Sequence, residues 1–301
     1  LLFRALGYNP PMPEWTFIAE ASALLSALAF GVRNIFIRKA LPYTTPWVSS
    51  LAVTSFTVLF FIPLTWMQRP GPPVTGAGLL WITLAGVIAP GLALLFYFAS
   101  VNRIGVARST PLASTQPLFS LLVAVLFLGE RPGLRVYIGT LLVVGGIIMV
   151  TGERKGFRWT AREITLPLLA AVSWGLSAVF RKMGMDAIPW PNFGSLIMSA
   201  AGLATHFLAY RIFAGRAGRS TQARAAPLLL AAGACLAAGF YLNLFAFMRG
   251  TIATIGPLAS ISPVVTILLA AIFLRGLEKV TLRVMICTAV IAVGCALITV
   301  H

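Results

Sequence analysis

Two arginines sit where this 301-residue chain is otherwise apolar. Arg33 lies in the run Gly31-Val32-Arg33-Asn34-Ile35-Phe36, with Asn34 beside it. Arg108 opens Arg108-Ser109-Thr110-Pro111. A guanidinium in an apolar stretch suits a carboxylate or a phosphate, which it grips with paired N–H donors. The competing reading for each is a long side chain that bends its head to the nearest membrane surface. Glu20 and His206 are further ionisable groups inside apolar stretches. Glu20 could carry a coupling proton, or simply be an acid favoured at the positive end of a helix. His206 could relay protons near neutral pH, or pack with its ring bonded to a backbone carbonyl. Ionisable groups within a membrane span are costly, which makes each a site candidate.

Nothing in the chain assembles a catalytic set. The histidines are His206 and the terminal His301, too few for a Ser-His-Asp arrangement or a His-rich metal site. Cys235, Cys287 and Cys295 lie in apolar runs without metal-ligand spacing and read as small packing residues. We expect no cofactor, no metal and no enzyme activity.

The elements that must position these groups follow from composition. The hydrophobic fraction is 59%, only 10% of residues are charged, and the mean hydropathy is +0.93. Such a chain lacks the polar surface of a soluble domain. Its apolar runs are roughly 20 residues long, enough to cross a hydrocarbon core as helix. Short alternating segments of the kind that build a membrane barrel are lacking. Lys and Arg number 23 against 7 acids. The basic residues gather at span ends, so they point to lipid headgroups rather than nucleic acid. Ten spans are predicted, at about 17–40, 47–67, 77–99, 107–128, 133–150, 165–184, 190–213, 226–248, 254–274 and 280–300. Residues 1–16 read as a surface segment; without an initial Met, the original N-terminus is expected to be missing. Residues 151–164 read as a polar linker.

The spans repeat. Residues 103–128 and 249–274, stacked at an offset of 146, agree at 11 of 26 positions, among them Pro111/Pro257, Ser114/Ser260 and Pro117/Pro263. Phe30-Gly31 corresponds to Trp174-Gly175, Arg38-Lys39 to Arg181-Lys182, and Glu130 to Glu278. Two halves, 17–150 and 165–300, of five spans each must run through the membrane in opposite senses. The predicted fold is therefore an all-α polytopic membrane protein of two inverted five-helix repeats.

These motifs, in this order and twice over, resemble the EamA domain of the drug/metabolite transporter superfamily. The second half departs at Cys287, where the first has Gly139, and at Arg275-Gly276-Leu277-Glu278. The resemblance implies a ten-helix transporter with a central cavity between the halves. It also implies an exporter of amino acids or related metabolites in the cell inner membrane. Exchange of anionic solutes, such as sugar phosphates, nucleotide sugars or organic acids, is the alternative that the arginines favour. A lipid-precursor flippase is a third.

Besides Arg33, Asn34 and Arg108, the expected substrate-binding set holds Ser114, Gln116 and Ser260, polar neighbours of the span prolines. Pro117 and Pro263 are expected inside their helices, freeing carbonyls that only a wet or covered cavity tolerates. Tyr97, Trp174 and Tyr241, with Asn243, are expected to form an aromatic wall. Trp15, Tyr43, Trp47 and Trp190 read as interfacial aromatics. Expected partners are a small-molecule substrate and membrane lipids. Orientation is in conflict: Lys and Arg total 16 on the odd-to-even connections and 7 on the other side. That puts the termini outside, while the resemblance implies termini inside.

Overall fold

The structure, a computed structural model, describes residues 16–69, 71–104, 112–113, 115–151, 161–213, 221–262 and scattered positions from 264 to 298. Its helices are α1 (Thr16–Ala40), α2 (Pro46–Met67), α3 (Gly76–Gly86), α4 (Ala93–Ile104), α5 (Gln116–Leu128), α6 (Leu134–Thr151), α7 (Ala161–Ala187), α8 (Pro191–Phe213), α9 (Ala226–Arg249) and α10 (Ile252–Ala259). Among the described residues no strand forms; one isolated bridge joins Thr44 to Thr221. In lipid a backbone has no water to bond, so apolar runs close their own hydrogen bonds as helix.

Among the described residues six helices are long and apolar enough to cross a membrane: Phe17–Tyr43, Pro46–Met67, Gly76–Tyr97, Ile164–Ala187, Pro191–Ile212 and Ala223–Arg249. Gln116–Leu128 and Leu134–Met149 are shorter and apolar. The chain is a multi-pass helical membrane protein.

Local chemistry sets the helix ends. Thr45 and Thr75 accept backbone N–H bonds from Val48 and Gly78, three residues on, and Pro46 takes the first helical position, where its missing N–H costs nothing. Gly129 ends α5 at φ 67°, a left-handed conformation that glycine enters without strain.

The helices pack in pairs. α1 lies along α9, and α7 lies along both α3 and α4. α2 packs on α8, α5 on α10, α1 on α10, and α5 on α7. Gly239 admits the closest of these approaches: a Cβ there would sit 2.3 Å from the Phe30 ring. Phe30 in turn meets Phe240 edge-on at 5.9 Å. α1 and α9 run antiparallel, with Ala19 beside Gly250 and Phe30 beside Gly239. α3 and α7 do likewise, with Gly78 on Ile188 and Gly184 on Ile82.

Three expectations need correction. Pro117 is not buried inside a continuous helix; it falls in the first turn of α5, behind the turn residue Thr115, where no helical N–H bond is lost. Arg181 and Lys182, counted above with the connection between the sixth and seventh spans, lie inside α7, which continues to Ala187. Trp190, read as an interfacial aromatic, faces protein rather than an open surface. It is 8% exposed, stacks on Phe193 and donates its indole N–H to Gln68 Oε1 at 2.7 Å.

Candidate functional site

Arg33 lies two-thirds along α1, partly buried. Its Nε and Nη2 donate to Asn34 Oδ1, at 3.2 and 2.8 Å, and the guanidinium carbon stands 5.4 Å over the Phe30 ring. No carboxylate among the described residues contacts it. Asn34 therefore orients Arg33 without neutralising it.

Arg181 on α7 has the same construction, and reading the sequence did not single it out. Its Nε donates to Ser177 Oγ at 3.2 Å and its Nη1 to Asn243 Oδ1 at 2.8 Å. The Phe247 ring lies below it, at 6.0 Å. Ser177 and Asn243 are both buried. The Ser177 hydroxyl spends its proton on Ala85 O at 3.0 Å, with Ala89 O at 3.4 Å, which leaves its oxygen free to accept from Arg181.

Those two carbonyls mark a break. Between α3 and α4 the chain passes through a wider segment, Val87–Leu92, where Ala89 leaves helical geometry at φ −152°, ψ 120° ahead of Pro90. Proline cannot donate and clashes with the preceding turn, so carbonyls there need other donors. Ser177 supplies one. His206, buried at 4% exposure, supplies another: its Nε2 is 3.3 Å from Pro90 O and its Nδ1 is 3.4 Å from Thr54 Oγ1. A narrow pocket beside it is lined by Trp47, Ser50, Leu94, Leu95 and His206.

A second break lies at the turn residues Thr115 and Ser260, at the start of α5 and the end of α10; Pro111 and Pro263 lie outside the described residues. Gln116 Nε2 donates to Ser260 Oγ at 2.7 Å, so the start of α5 meets the end of α10. Thr115 and Ser260 donate to Leu112 O and Gly256 O, satisfying carbonyls near the break.

The aromatic wall is brought together only in part. Tyr97 and Trp174 meet at 5.8 Å between ring centroids, tilted by 52°. Tyr241 is 36% exposed and stacks on Phe245, while Asn243 is 1% exposed. Two residues along a helix turn about 200°, so these side chains leave α9 on opposite faces. Glu20 is buried in the second turn of α1. Arg108 and Ser114 lie outside the described residues.

Next to Arg181 on α7, Lys182 is buried and pairs with Asp186 at 2.8 Å. Glu130 caps α10, accepting the N–H groups of Ile252 and Ala253 at 3.0 and 2.9 Å. Its recurrence as Glu278 was the available signal, legible only as a motif. Among the described residues no group of three His, Cys, Asp or Glu is placed to hold a metal.

The profile of the EamA-like transporter family matches residues 17–152 and again residues 161–300. The chain belongs to the EamA-like transporter family. A transporter of Archaeoglobus fulgidus is 25% identical over 56% of this chain and 59% of its own. A riboflavin transporter of Rhizobium johnstonii is 25% identical over 56% of each chain. A pseudopaline exporter of Pseudomonas aeruginosa is 30% identical over 54% of this chain and 56% of its own. These alignments cover a little over half the length of each curated relative. A solved crystal structure, 17% identical, superposes with a TM-score of 0.77 over 93% of this chain and 95% of that one, so the two share a fold. The relatives of this EamA-like chain are transporters, not enzymes.

Proposed function

We propose that this protein carries small organic solutes, amino acids or related metabolites, across the cell inner membrane by alternating access. In this reading ten spans form two five-helix repeats, 17–150 and 165–300, inverted relative to each other. The family profile matching twice supports it. So does the packing: exchanging the halves turns the α1–α9 pair into α7 with α3 and α4, turns α1–α10 into α7–α5, and returns α2–α8 and α5–α10 to themselves. A pseudo-two-fold axis in the membrane plane has that consequence. Export is the direction named for one relative.

The observation that carries the substrate class is Arg33, a partly buried guanidinium in an apolar helix with no carboxylate in contact among the described residues. A cation so placed is stabilised by an anionic group on the cargo. That group is a carboxylate on an amino acid. The same residue supports a second reading, exchange of anionic solutes such as sugar phosphates.

Efflux of labelled amino acids from liposomes containing the purified protein tests the first reading, and exchange of labelled sugar phosphates tests the second. In either assay Arg33→Ala should fold yet lose transport, and Arg33→Lys should keep the charge but lose paired recognition. A lost charge-assisted pair in a partly dry site is worth about 2–5 kcal/mol, roughly 30- to several-thousand-fold in affinity. If both variants stay within about threefold of wild type, a difference under 1 kcal/mol, Arg33 only reaches for the membrane surface.

A further inference from the structure

The repeat alignment sets Arg33 opposite Ser177 and Arg181 opposite Arg38, which leaves Arg33 with no counterpart. The three-dimensional arrangement gives it one. One turn beyond Ser177, Arg181 reproduces two features of the Arg33 environment, with partners drawn from α9 rather than from its own helix. Each guanidinium is held by an asparagine side-chain oxygen, Asn34 or Asn243, and each lies over a phenylalanine ring, Phe30 or Phe247.

Charge separates Arg181 from its neighbour. Lys182 is buried and its ammonium is neutralised by Asp186. Arg181 is partly exposed, and its contacts are the neutral oxygens of Ser177 and Asn243 and a ring face. A guanidinium has five N–H donors, and two are used here, so three remain. With Nε and one Nη1 hydrogen fixed by buried acceptors, the remaining donors on Nη1 and Nη2 are oriented in advance. They match the two oxygens of a carboxylate or phosphate.

Position completes the argument. Both arginines lie in the C-terminal third of their helices. α3 runs antiparallel to α7, and α2 turns the chain over between α1 and α3, so α1 and α7 oppose each other. The two guanidiniums therefore sit at different depths of the bundle. Phe30 is level with Gly239, which puts Arg33 near Leu236, seven residues from Asn243. At 1.5 Å per residue the separation along α9 is about 10 Å.

We propose that Arg181 is a second oxyanion-binding residue, the counterpart of Arg33 in the other half, and receives the carboxylate or phosphate of the solute at a second depth of the passage, about 10 Å from Arg33 along α9. The inference rests on the transport reading above.

The test is chemical modification of the purified full chain in detergent with 4-hydroxyphenylglyoxal, which attacks accessible guanidiniums, followed residue by residue by peptide mass spectrometry. Benzoate and inorganic phosphate are the oxyanion probes; benzamide and matched chloride are the controls. Modification of Arg181 should slow about tenfold under at least one oxyanion, the scale of a charge-assisted pair, and be unchanged by benzamide or chloride. Asn243→Leu should weaken that protection at Arg181 and leave protection at Arg33 intact. A purely structural Arg181 would not show this split. Protection at Arg33 alone overturns the second site while the transport reading stands. An Arg181 that never reacts, or reacts at one rate in every solution, overturns it as well. Protection at neither arginine removes the anionic substrate class too.

Discussion

Glu130 and Ile252, 122 residues apart in the chain, are joined by a hydrogen bond of 3.0 Å from the Ile252 N–H to a Glu130 carboxylate oxygen. The other oxygen takes the Ala253 N–H at 2.9 Å, so one buried acid caps the first turn of α10. The left-handed Gly129 turns the chain so that this acid can reach across. Helix N-termini leave their first N–H groups unsatisfied, and a carboxylate both bonds them and meets the positive end of the helix dipole. Glu130→Ala should cost about 1–3 kcal/mol, and Glu130→Gln, which keeps one acceptor oxygen, should cost less. Thermal unfolding of the purified protein reads both; an unshifted midpoint for Glu130→Ala would mean the cap contributes nothing.

Lys182 and Asp186 form a buried pair one turn apart on α7. Removing one partner takes away the Lys182 ion pair in a buried setting, where a charge is costly. Asp186→Ala should therefore destabilise by about 3–5 kcal/mol. The double variant Lys182→Met/Asp186→Leu removes both charges at similar volume and should recover most of that loss. A double variant as unstable as the single one would show that the pair has a further structural partner.

Both ring nitrogens of His206 are engaged, by Pro90 O and Thr54 Oγ1. His206→Leu should leave both groups without that partner and lower stability by about 1–3 kcal/mol. His206→Gln, which can still donate and accept, should lose less and keep transport with its pH dependence. A flattened pH–transport profile in His206→Gln would instead assign the coupling proton to this residue.

Gly239 touches Phe30 so closely that any side chain must displace the ring. Gly239→Val should cost about 1–3 kcal/mol through overpacking. Trimming the ring, in Gly239→Val/Phe30→Ala, should return part of that stability, because the obstacle is a side chain rather than backbone. Equal stability of the single and double variants would place the strain elsewhere on the α1–α9 contact.

The helices, the duplicated motifs and the family resemblance were legible in the sequence, because they are local properties. A run of about 20 apolar residues must be helical in lipid wherever it ends up, and Pro90-Gly91 interrupts its span whatever packs beside it. Arg33 was legible for the same reason, a cation in an apolar run. Tertiary structure alone decided which charges are compensated. Arg181 and Lys182 are adjacent basic residues at a helix end in the sequence. In the fold one is neutralised by Asp186 and the other is held by Asn243, 62 residues away. The reach of Glu130 to α10 and the burial of Trp190 against Gln68 were fixed in the same way. Hydropathy and periodicity specify a helix and its faces. They do not specify which face meets which neighbour, and a buried polar group takes its role from the partner it finds there.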